Sequence, residues 1–395
     1  MGLTHSNVGD AMITLLDVAA ATPADDMVSI IDAAGELLGA ESARLLVADY
    51  ALDTLRYLDT VENPQTAETD QEHPMPENGG SVAGLAFSRC ETIVSEDRVL
   101  IPISENSERI GVLELIHPGW SEELGALADQ VVRVLTLIIV SKRRYTDAVL
   151  RARRSEALSL AAEMQWDLLP PLSCSTARVS ICGLLEPAYS IGGDSFDFAL
   201  NSDVAEFAII DAVGHGMPAV LISTVAISGL RNARREGHDL EDAYHRTSDA
   251  IANQFGDGAF ATGQIGSLDL STGCLTWLNC GHPLPVLVRN DSYVGELECR
   301  PSLPMGLGGQ VVEVATEHLQ PGDRVLFFTD GVTETRSADG SEFGLLRLVD
   351  LLVRAAHDRS APVETLRSLS AAILAHGDIG LGDDATLVMI EYHGN

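Results

Sequence analysis

The chain has 395 residues, 46% of them hydrophobic, so it is long enough for two or three domains and too apolar for a disordered protein. Its formal net charge of −33 argues against a nucleic-acid backbone as a partner, because few cationic side chains are available to neutralise phosphates. The six cysteines form no CxxC pair and no secretory signal opens the chain, which favours reduced thiols in a cytoplasm.

The first 140 residues predict a mixed domain of helices and strands. Apolar residues at helical spacing indicate two helices between residues 8 and 38, divided at Thr22-Pro23. The stretch 61–80 is rich in proline and acidic residues and predicts a solvated loop. The remaining predicted elements are strands at 42–48, 55–59, 99–103 and 110–116, and a short helix at 81–88.

A hairpin pattern closes this first domain. The run Ile101-Pro-Ile, a polar turn and the run Ile110-Gly-Val-Leu-Glu-Leu together resemble a GAF sensor domain. A PAS domain is the near alternative, and a dimerisation domain without a ligand is a third interpretation. We therefore expect residues 1–140 to form a GAF-like sensor or dimerisation domain. His73 and Cys90 are candidates for a cofactor contact, but the sequence assigns no ligand.

A long helical stretch follows. Residues 126–169 contain no glycine or proline, and apolar residues recur every three or four positions, which predicts one long helix or two in series. We expect residues 141–170 to be a helical linker that ends at Pro170-Pro171, and its apolar stripe is a candidate seam for a parallel homodimer. The basic patch within 142–154 is interpreted as a solvated helix face, which is favoured against the alternative of a lipid or nucleic-acid contact. The apolar run 131–140 is shorter than the roughly 20 residues that a membrane span needs.

Beyond Pro171, strand-like runs alternate with glycine-containing turns. Strands grouped in the middle and helices around them predict an α+β fold, with two antiparallel sheets covered by helices. The predicted strands are 179–185, 205–210, 260–268, 273–279, 285–289, 311–315, 324–328 and 385–392, and the predicted helices are 217–235, 240–254, 345–356 and 363–375.

Four aspartates stand where these strands meet turns. They are Asp194, Asp211, Asp330 and Asp383. A single carboxylate in such a place usually caps or hydrogen-bonds the turn. Four of them from distant parts of the chain would repel one another unless cations neutralise them. Mg²⁺ and Mn²⁺ prefer oxygen ligands, so the pattern predicts a site for two metal ions.

The motifs that carry these aspartates have a family resemblance. They are Ile191-Gly-Gly-Asp-Ser-Phe-Asp, Asp211-Ala-Val-Gly-His-Gly, Leu278-Asn-Cys-Gly-His-Pro, Phe328-Thr-Asp-Gly and Gly382-Asp-Asp-Ala-Thr. Together they resemble the SpoIIE-like serine phosphatases, bacterial members of the metal-dependent (PPM, protein phosphatase 2C-like) superfamily. The resemblance begins near Ala157 and runs to the C-terminus. It implies a phosphatase domain over 171–395, a β-sandwich flanked by helices with a two-metal centre at one edge.

The resemblance also implies roles for single residues. Asp211 would bridge two Mn²⁺ or Mg²⁺ ions, and Asp194 would serve the metal cluster from the Gly-Gly-Asp turn, so that both are catalytic. Asp330 and Asp383 would complete the shell of the other metal. The carbonyl of Ala212 would be a backbone ligand, although Ala212 stands where the family more often has a smaller or more polar residue.

Other polar residues near these motifs have weaker assignments. Asp384 is a less suitable substitute for Asp383, and Asp197 is a candidate for a supporting contact behind the metal ligands. His215 and His282 lie in glycine-rich turns, where a structural role is favoured over that of a general acid. No cysteine nucleophile with an adjacent arginine loop is present, so a tyrosine-phosphatase mechanism is not supported.

The function implied by the resemblance is that of a cytoplasmic protein serine/threonine phosphatase. Its substrate would be the phosphoserine or phosphothreonine of a regulatory protein of the anti-sigma-factor antagonist class. The N-terminal domain would regulate it through a small-molecule or protein signal. The alternative is a catalytically weak sensor or binding module that retains the phosphatase fold.

Overall fold

The structure is a computed structural model that describes residues 5–58, 72–75, 80–105, 107–189, 192–309, 311–377, 381 and 383–394. The chain divides into two compact units, Met1–Ala157 and Leu158–Asn395. The finer division into a domain at 1–140, a linker at 141–170 and a domain at 171–395 stays a prediction. The predicted loop at 61–80 lies mostly outside the described residues, and its described part contains a short strand, Glu72–Pro74.

The N-terminal unit is a six-stranded sheet with helices on both faces. Its strand order is β3-β2-β1-β6-β5-β4, with every pair antiparallel. The helices are α1 (His5–Ala21), α2 (Met27–Leu37), α3 (Val82–Arg89), α4 (Glu122–Lys142) and α5 (Ala148–Ala152). The strands are β1 (Ser42–Ala48), β2 (Thr54–Tyr57), β3 (Glu72–Pro74), β4 (Ile93–Ser95), β5 (Arg98–Glu105) and β6 (Glu108–Ile116).

The sheet of this unit buries apolar side chains on both faces. Helices α1, α2 and α4 cover one face, where Leu45 and Leu113 lie in the larger core cluster. Helix α3 covers the other face, where Leu46 and Val112 pack against Phe87. Because both faces are covered, β1 and β6 are nearly continuous apolar runs in the sequence. The GAF-like identity of this unit, or the PAS alternative, stays a prediction.

Helix α4 is the long core helix of the N-terminal unit. Ser121 caps its first turn by accepting a hydrogen bond from the Leu124 N–H. Among the described residues, Glu122–Tyr145 is the one helical stretch long and apolar enough to cross a membrane. Over an apolar stretch of 18 residues within it, the mean hydropathy is 1.7 and 44% is buried. Leu127 and Leu135 are buried in the domain core, and a core helix of this kind passes the same test.

The prediction of one long helix, or two in series, across 126–169 is wrong, because α4, α5 and α6 all fall in this stretch. The chain leaves helical geometry at Thr146, which is extended with φ −150° and ψ 148° after a 3₁₀ turn at Arg143–Tyr145. It leaves it again after α5, and the next helix begins only at Leu160. The predicted linker at 141–170 therefore contains short helical segments separated by extended or turn residues.

Contacts within the N-terminal unit explain the break after α5. The Arg153 Nε donates to the Ala48 carbonyl at 3.2 Å, and its guanidinium lies 4.4 Å from the centre of the Tyr50 ring. The Ser155 hydroxyl donates to the Asp49 carboxylate at 3.1 Å. These contacts hold Arg153 and Ser155 against the end of β1 and the turn after it. Tertiary contacts have overridden the local helical propensity.

The C-terminal unit has two antiparallel sheets, with strand orders β15-β12-β11-β10-β9 and β14-β13-β16-β17-β8-β7. Its helices are α6 (Leu160–Leu168), α7 (Met217–Glu236), α8 (Leu240–Phe255), α9 (Asp330–Glu334), α10 (Leu345–His357) and α11 (Pro362–His376). Its strands are β7 (Ser173–Ser175), β8 (Val179–Glu186), β9 (Asp194–Asn201), β10 (Val204–Ala212), β11 (Ala261–Asp269), β12 (Cys274–Cys280), β13 (Val286–Arg289), β14 (Ser292–Glu296), β15 (Val314–His318), β16 (Arg324–Phe328) and β17 (Ala385–Tyr392).

The two sheets pack face to face and helices cover their outer faces. Phe207 on β10 and Phe327 on β16 meet between the sheets, with ring centres 4.6 Å apart. Helices α7 and α8 pack on the outer face of the five-stranded sheet, where Ile210 and Leu278 are buried. Helices α10 and α11 cover the other sheet. The predicted α+β fold of two sheets flanked by helices is confirmed.

Candidate metal centre

Asp194 and Asp211 lie opposite each other on neighbouring strands. Asp194 opens β9, Asp211 is the second-last residue of β10, and the two are paired in register. The turn before Asp194 requires glycine because a Cβ on Gly192 would stand 2.1 Å from the Gly216 nitrogen, and a Cβ on Gly193 would stand 2.8 Å from the Ala212 oxygen. The Gly-Gly-Asp turn therefore lies directly against the loop that follows Asp211.

Asp384 holds that turn in place. Its Oδ2 accepts hydrogen bonds from the N–H groups of Gly192 at 3.1 Å, Gly193 at 2.7 Å and Asp194 at 3.1 Å. Burial raises the pKa of Asp384, although the three N–H groups act in the opposite direction. One oxygen of Asp384 is thus committed to the backbone, which supports the choice of Asp383 as the residue of this pair that faces a metal.

The second sheet supplies the other two aspartates. Asp330 stands two residues after the end of β16, and Asp383 stands two residues before β17, the partner strand of β16. Between them, the Thr329 hydroxyl donates to Asp194 Oδ2 at 2.8 Å and accepts from the Thr386 N–H at 2.9 Å. This hydroxyl ties the end of the second sheet to the first strand of the other sheet.

Mutual repulsion shows that the four carboxylates share one region. Burial, followed by the charges of Asp330, Asp383 and Asp384, raises the pKa of Asp211 to about 7. Burial, the Asp211 charge and the Asp384 charge raise the pKa of Asp194 well above its ordinary value. Burial and Asp383 raise the pKa of Asp330. Within the described part of the chain, no arginine or lysine forms an ion pair with these four residues.

The donor set fits divalent cations that prefer oxygen ligands. Asp194 is buried, Asp211 is partly buried, and Asp330 and Asp383 are exposed. Carboxylates whose charges repel one another, with no ion-paired arginine or lysine among the described residues, are stabilised by a bound cation. No three acidic or histidine side chains among the described residues form a ready-made cage for one ion. Two ions about 4 Å apart would spread the ligands, and Mg²⁺ keeps several of its waters, so such a cage is not required. The backbone oxygen of Ala212 lies against the Gly193 turn.

The remaining polar residues from the sequence analysis lie apart from the ligands or are buried. Asp197 is 2% exposed and is bound by Arg231 and Arg234 of α7, at 2.7 and 2.8 Å, so it anchors α7 to β9. His215 is exposed in the turn after Asp211. His282 is 6% exposed, and burial lowers its pKa to about 3, which makes it a poor proton donor near neutral pH.

Two residues that contact the site were missed in the sequence. Thr329 immediately precedes Asp330. A hydroxyl residue at a strand end next to a carboxylate is the sequence pattern that could have identified it. Gln165 of α6 is fully buried, and its side-chain amide donates to the backbone carbonyl of Asp194. No local sequence pattern identifies Gln165 as a site residue, because it lies 29 residues before Asp194 in the chain.

The sandwich of two antiparallel sheets in the C-terminal unit is similar in fold to a PP2C domain. The SiaA-PP2C domain of Pseudomonas aeruginosa is similar to this chain at a TM-score of 0.51 and 20% identity, over 59% of this chain and 94% of that domain. The family model "Stage II sporulation protein E (SpoIIE)" matches residues 202–393. Residues 202–393 are thus similar to the SpoIIE family, and the predicted resemblance is confirmed for them.

Two curated relatives extend the comparison. Phosphoserine phosphatase RsbU of Bacillus subtilis is 24% identical over 286 residues, which are 71% of this chain and 83% of RsbU. Protein IcfG of Synechocystis sp. is 26% identical over 263 residues, which are 59% of this chain and 41% of IcfG. The chain thus spans most of the length of RsbU but less than half of IcfG.

Proposed function

We propose that the chain is a metal-dependent protein serine/threonine phosphatase. The observation that carries this proposal is the cluster of Asp194, Asp211, Asp330 and Asp383 at the end of a PP2C-like sandwich. Burial and the charges of neighbouring carboxylates raise the pKa values of Asp194, Asp211 and Asp330 there. Two Mn²⁺ or Mg²⁺ ions would be held by these carboxylates and the Ala212 carbonyl. The match to a SpoIIE-family domain and the likeness to RsbU support the same class of reaction.

Some residues of the site would bind the metal ions, and others orient those ligands. Bound ions would supply a water of lowered pKa and offset charge on the phosphoryl oxygens. The charges of Asp330, Asp383 and Asp384 all act on Asp211, which would be shared between the ions. Thr329 orients Asp194 through its hydroxyl, and Asp384 holds the turn that brings Asp194 to the site. These contacts are made from two sheets, so the sandwich keeps the ligands in place without reorganisation.

The substrate proposed here is a phosphorylated regulatory protein of the anti-sigma-factor antagonist class. RsbU, to which 71% of the chain is similar, is named a phosphoserine phosphatase. We further propose a cytoplasmic location, regulation by a small-molecule or protein signal at the N-terminal unit, and a homodimer formed along the helical segments near 126–169. Leu137, 61% exposed on α4, supports such an apolar contact.

Hydrolysis of a phosphoserine protein in the presence of Mn²⁺ tests the proposal. Asp211→Asn and Asp383→Asn should each lose more than about 99% of the turnover, because removing a carboxylate ligand weakens the binding of the two metal ions that the reaction needs. Asp249→Asn is the matched control, since Asp249 is exposed on α8, and it should retain wild-type turnover. If the wild-type protein binds Mn²⁺ but shows no turnover, the enzyme proposal is wrong and the alternative of a binding module that retains the phosphatase fold is favoured.

A further inference from the structure

Helix α1 carries one apolar stripe that is buried and a second that is exposed. Residues three or four positions apart lie on the same side of a helix. The buried stripe packs into the core of the N-terminal unit and consists of Ala11, Leu15 and Ala19. The exposed stripe consists of Ile13, Leu16 and Ala20, with Ile13 at 59% and Leu16 at 51% exposed. A helix that packs on one core needs a single apolar stripe, so the second stripe indicates another partner.

Helix α4 lies against α1 and has an exposed leucine at the same level. The two helices are in contact, and the Lys142 Nζ at the end of α4 donates to the Thr22 carbonyl just after α1 at 2.7 Å. Leu16 lies six residues before Thr22, about 9 Å from this shared end. Leu137 lies five residues before Lys142, about 8 Å from the same end, and is 61% exposed. We call the exposed apolar surface of the two helices the α1–α4 face, which consists of Ile13, Leu16, Ala20 and Leu137.

The two helices of this face carry opposite charges. Helix α1 contains Asp10 and Asp17 and no lysine or arginine, and both aspartates are exposed. The stretch 130–145, which ends α4 and continues into the next turn, has four basic residues and no acidic one. Two of the basic residues, Arg133 and Arg144, are exposed. Among the residues that the structure describes, neither these two arginines nor the two aspartates form an ion pair, so an acidic and a basic edge are both left unmatched.

We propose that the α1–α4 face pairs with the same face of a second copy of this chain, so that α1 of each protomer lies against α4 of its partner. A two-fold axis makes this contact twice, and in each contact the acidic edge of one helix meets the basic edge of the other. A partner with a single sign of charge would match only one of the two edges, which favours a second copy. The inference rests on the homodimer proposed above, which it assigns to the N-terminal unit, and it holds whether or not the chain is an active phosphatase.

The size of the face fits a stable dimer. Helices α1 and α4 have 17 and 21 residues. Side by side they present a face about 26 Å long and about 20 Å wide, or about 500 Å² in projection. Side chains make the accessible surface of such a face larger than its projection, so it approaches the roughly 800 Å² per partner of a standard interface. Apolar side chains in the middle and charges at the edges are the arrangement that specific interfaces have.

Sedimentation equilibrium of the full chain measures the dimer, with Leu137→Gln as the test and Val94→Gln as the matched control. Val94 is 51% exposed on β4 of the same unit and lies outside the α1–α4 face. The wild type should be a dimer, and Leu137→Gln should raise its dissociation constant at least about 30-fold, because two leucines per dimer lose their burial. Val94→Gln should stay within about threefold of the wild type.

The possible outcomes separate the face from the dimer. A dimer that is equally stable in Leu137→Gln and in the wild type would overturn the assigned face and leave a homodimer formed elsewhere. A monomeric wild type would overturn the homodimer as well. Sedimentation of that monomer with phosphatidylcholine vesicles would assign the face to a lipid surface instead.

Charge reversal tests the two edges. The double variant Asp10→Arg with Asp17→Arg makes both edges basic, and the double variant Arg133→Glu with Arg144→Glu makes both edges acidic. Each variant alone should dimerise at least about tenfold more weakly than the wild type at low salt, because like charges then face each other. Mixed in equal amounts, the two should form a heterodimer in native mass spectrometry, since each basic edge then meets an acidic one. If both variants are folded by circular dichroism and no heterodimer forms, the pairing of α1 with α4 is wrong.

Discussion

Binding of Mn²⁺ to the metal-free protein should release protons at pH 6. Burial and the charges of Asp330, Asp383 and Asp384 raise the pKa of Asp211 to about 7, so this carboxyl is mostly protonated at that pH. A divalent cation favours the ionised carboxylate, and binding therefore displaces the proton. Asp194, whose pKa is raised first by burial and then by Asp211, should contribute in the same direction.

The size of the effect follows from the pKa of Asp211. With a value of about 7, the carboxyl is about 90% protonated at pH 6 and about 10% protonated at pH 8. Asp194 can add up to one more proton, so we expect between about one and two protons released per protein at pH 6. For each proton released, the apparent Mn²⁺ affinity should rise about tenfold per pH unit below pH 7.

Calorimetry in two buffers of different ionisation enthalpy measures this release directly, because the difference in observed heat gives the number of protons taken up by the buffer. Asp211→Asn should lower the release at pH 6 by about one proton, and Asp249→Asn should leave it unchanged. A release below about 0.3 protons at pH 6 in the wild-type protein, with Mn²⁺ bound, would refute the coupled-carboxylate reasoning.

The same structure makes two predictions about stability. In the metal-free protein the folded pKa of Asp211 lies above its ordinary value of 3.8, so the folded state binds more protons between about pH 4 and pH 7. The free energy of unfolding should then fall as pH rises through that window, by about 1.4 kcal/mol per unit of pKa shift, and urea titrations at pH 5 and pH 7 should show a smaller difference for Asp211→Asn. Asp197→Ala leaves Arg231 and Arg234 without their buried partner and should cost about 3–5 kcal/mol in urea unfolding. The exposed pair of Arg336 is the control, and Arg336→Ala should cost under about 1 kcal/mol; equal losses in these two variants would contradict the role of burial.

The elements that could be predicted are those whose local pattern and tertiary environment agree. The strand 385–392 was predicted with its observed bounds, and 324–328 likewise. Both are buried on two faces between a second sheet and helices, so their sequences are continuous apolar runs. Helices α7 and α8 were also predicted, because their apolar residues recur on the one face that packs on the sheet.

The elements that were missed depend on distant contacts. Strand β9 begins at Asp194 with polar residues, and its partner β10 supplies the pairing that makes it a strand. The break between α5 and α6 follows from contacts of Arg153 and Ser155 with residues about 105 positions earlier. A local pattern does not contain either partner, so the strand was not predicted and the stretch 126–169 was predicted as one long helix or two in series.

The sequence by itself determined the chemistry of this protein: aspartates at strand ends, glycines where a turn must pass close to another chain segment, and the α+β class. Only the tertiary structure decided which carboxylate does what. Asp383 and Asp384 are adjacent in the chain. Only Asp384 accepts hydrogen bonds from three backbone N–H groups of the Gly-Gly-Asp turn, 190 to 192 residues away. The place of Thr262 opposite Asp211 and its contact with His282 are likewise set by strand register and a distant loop, because hydrogen bonds depend on positions in space that residue order does not reveal.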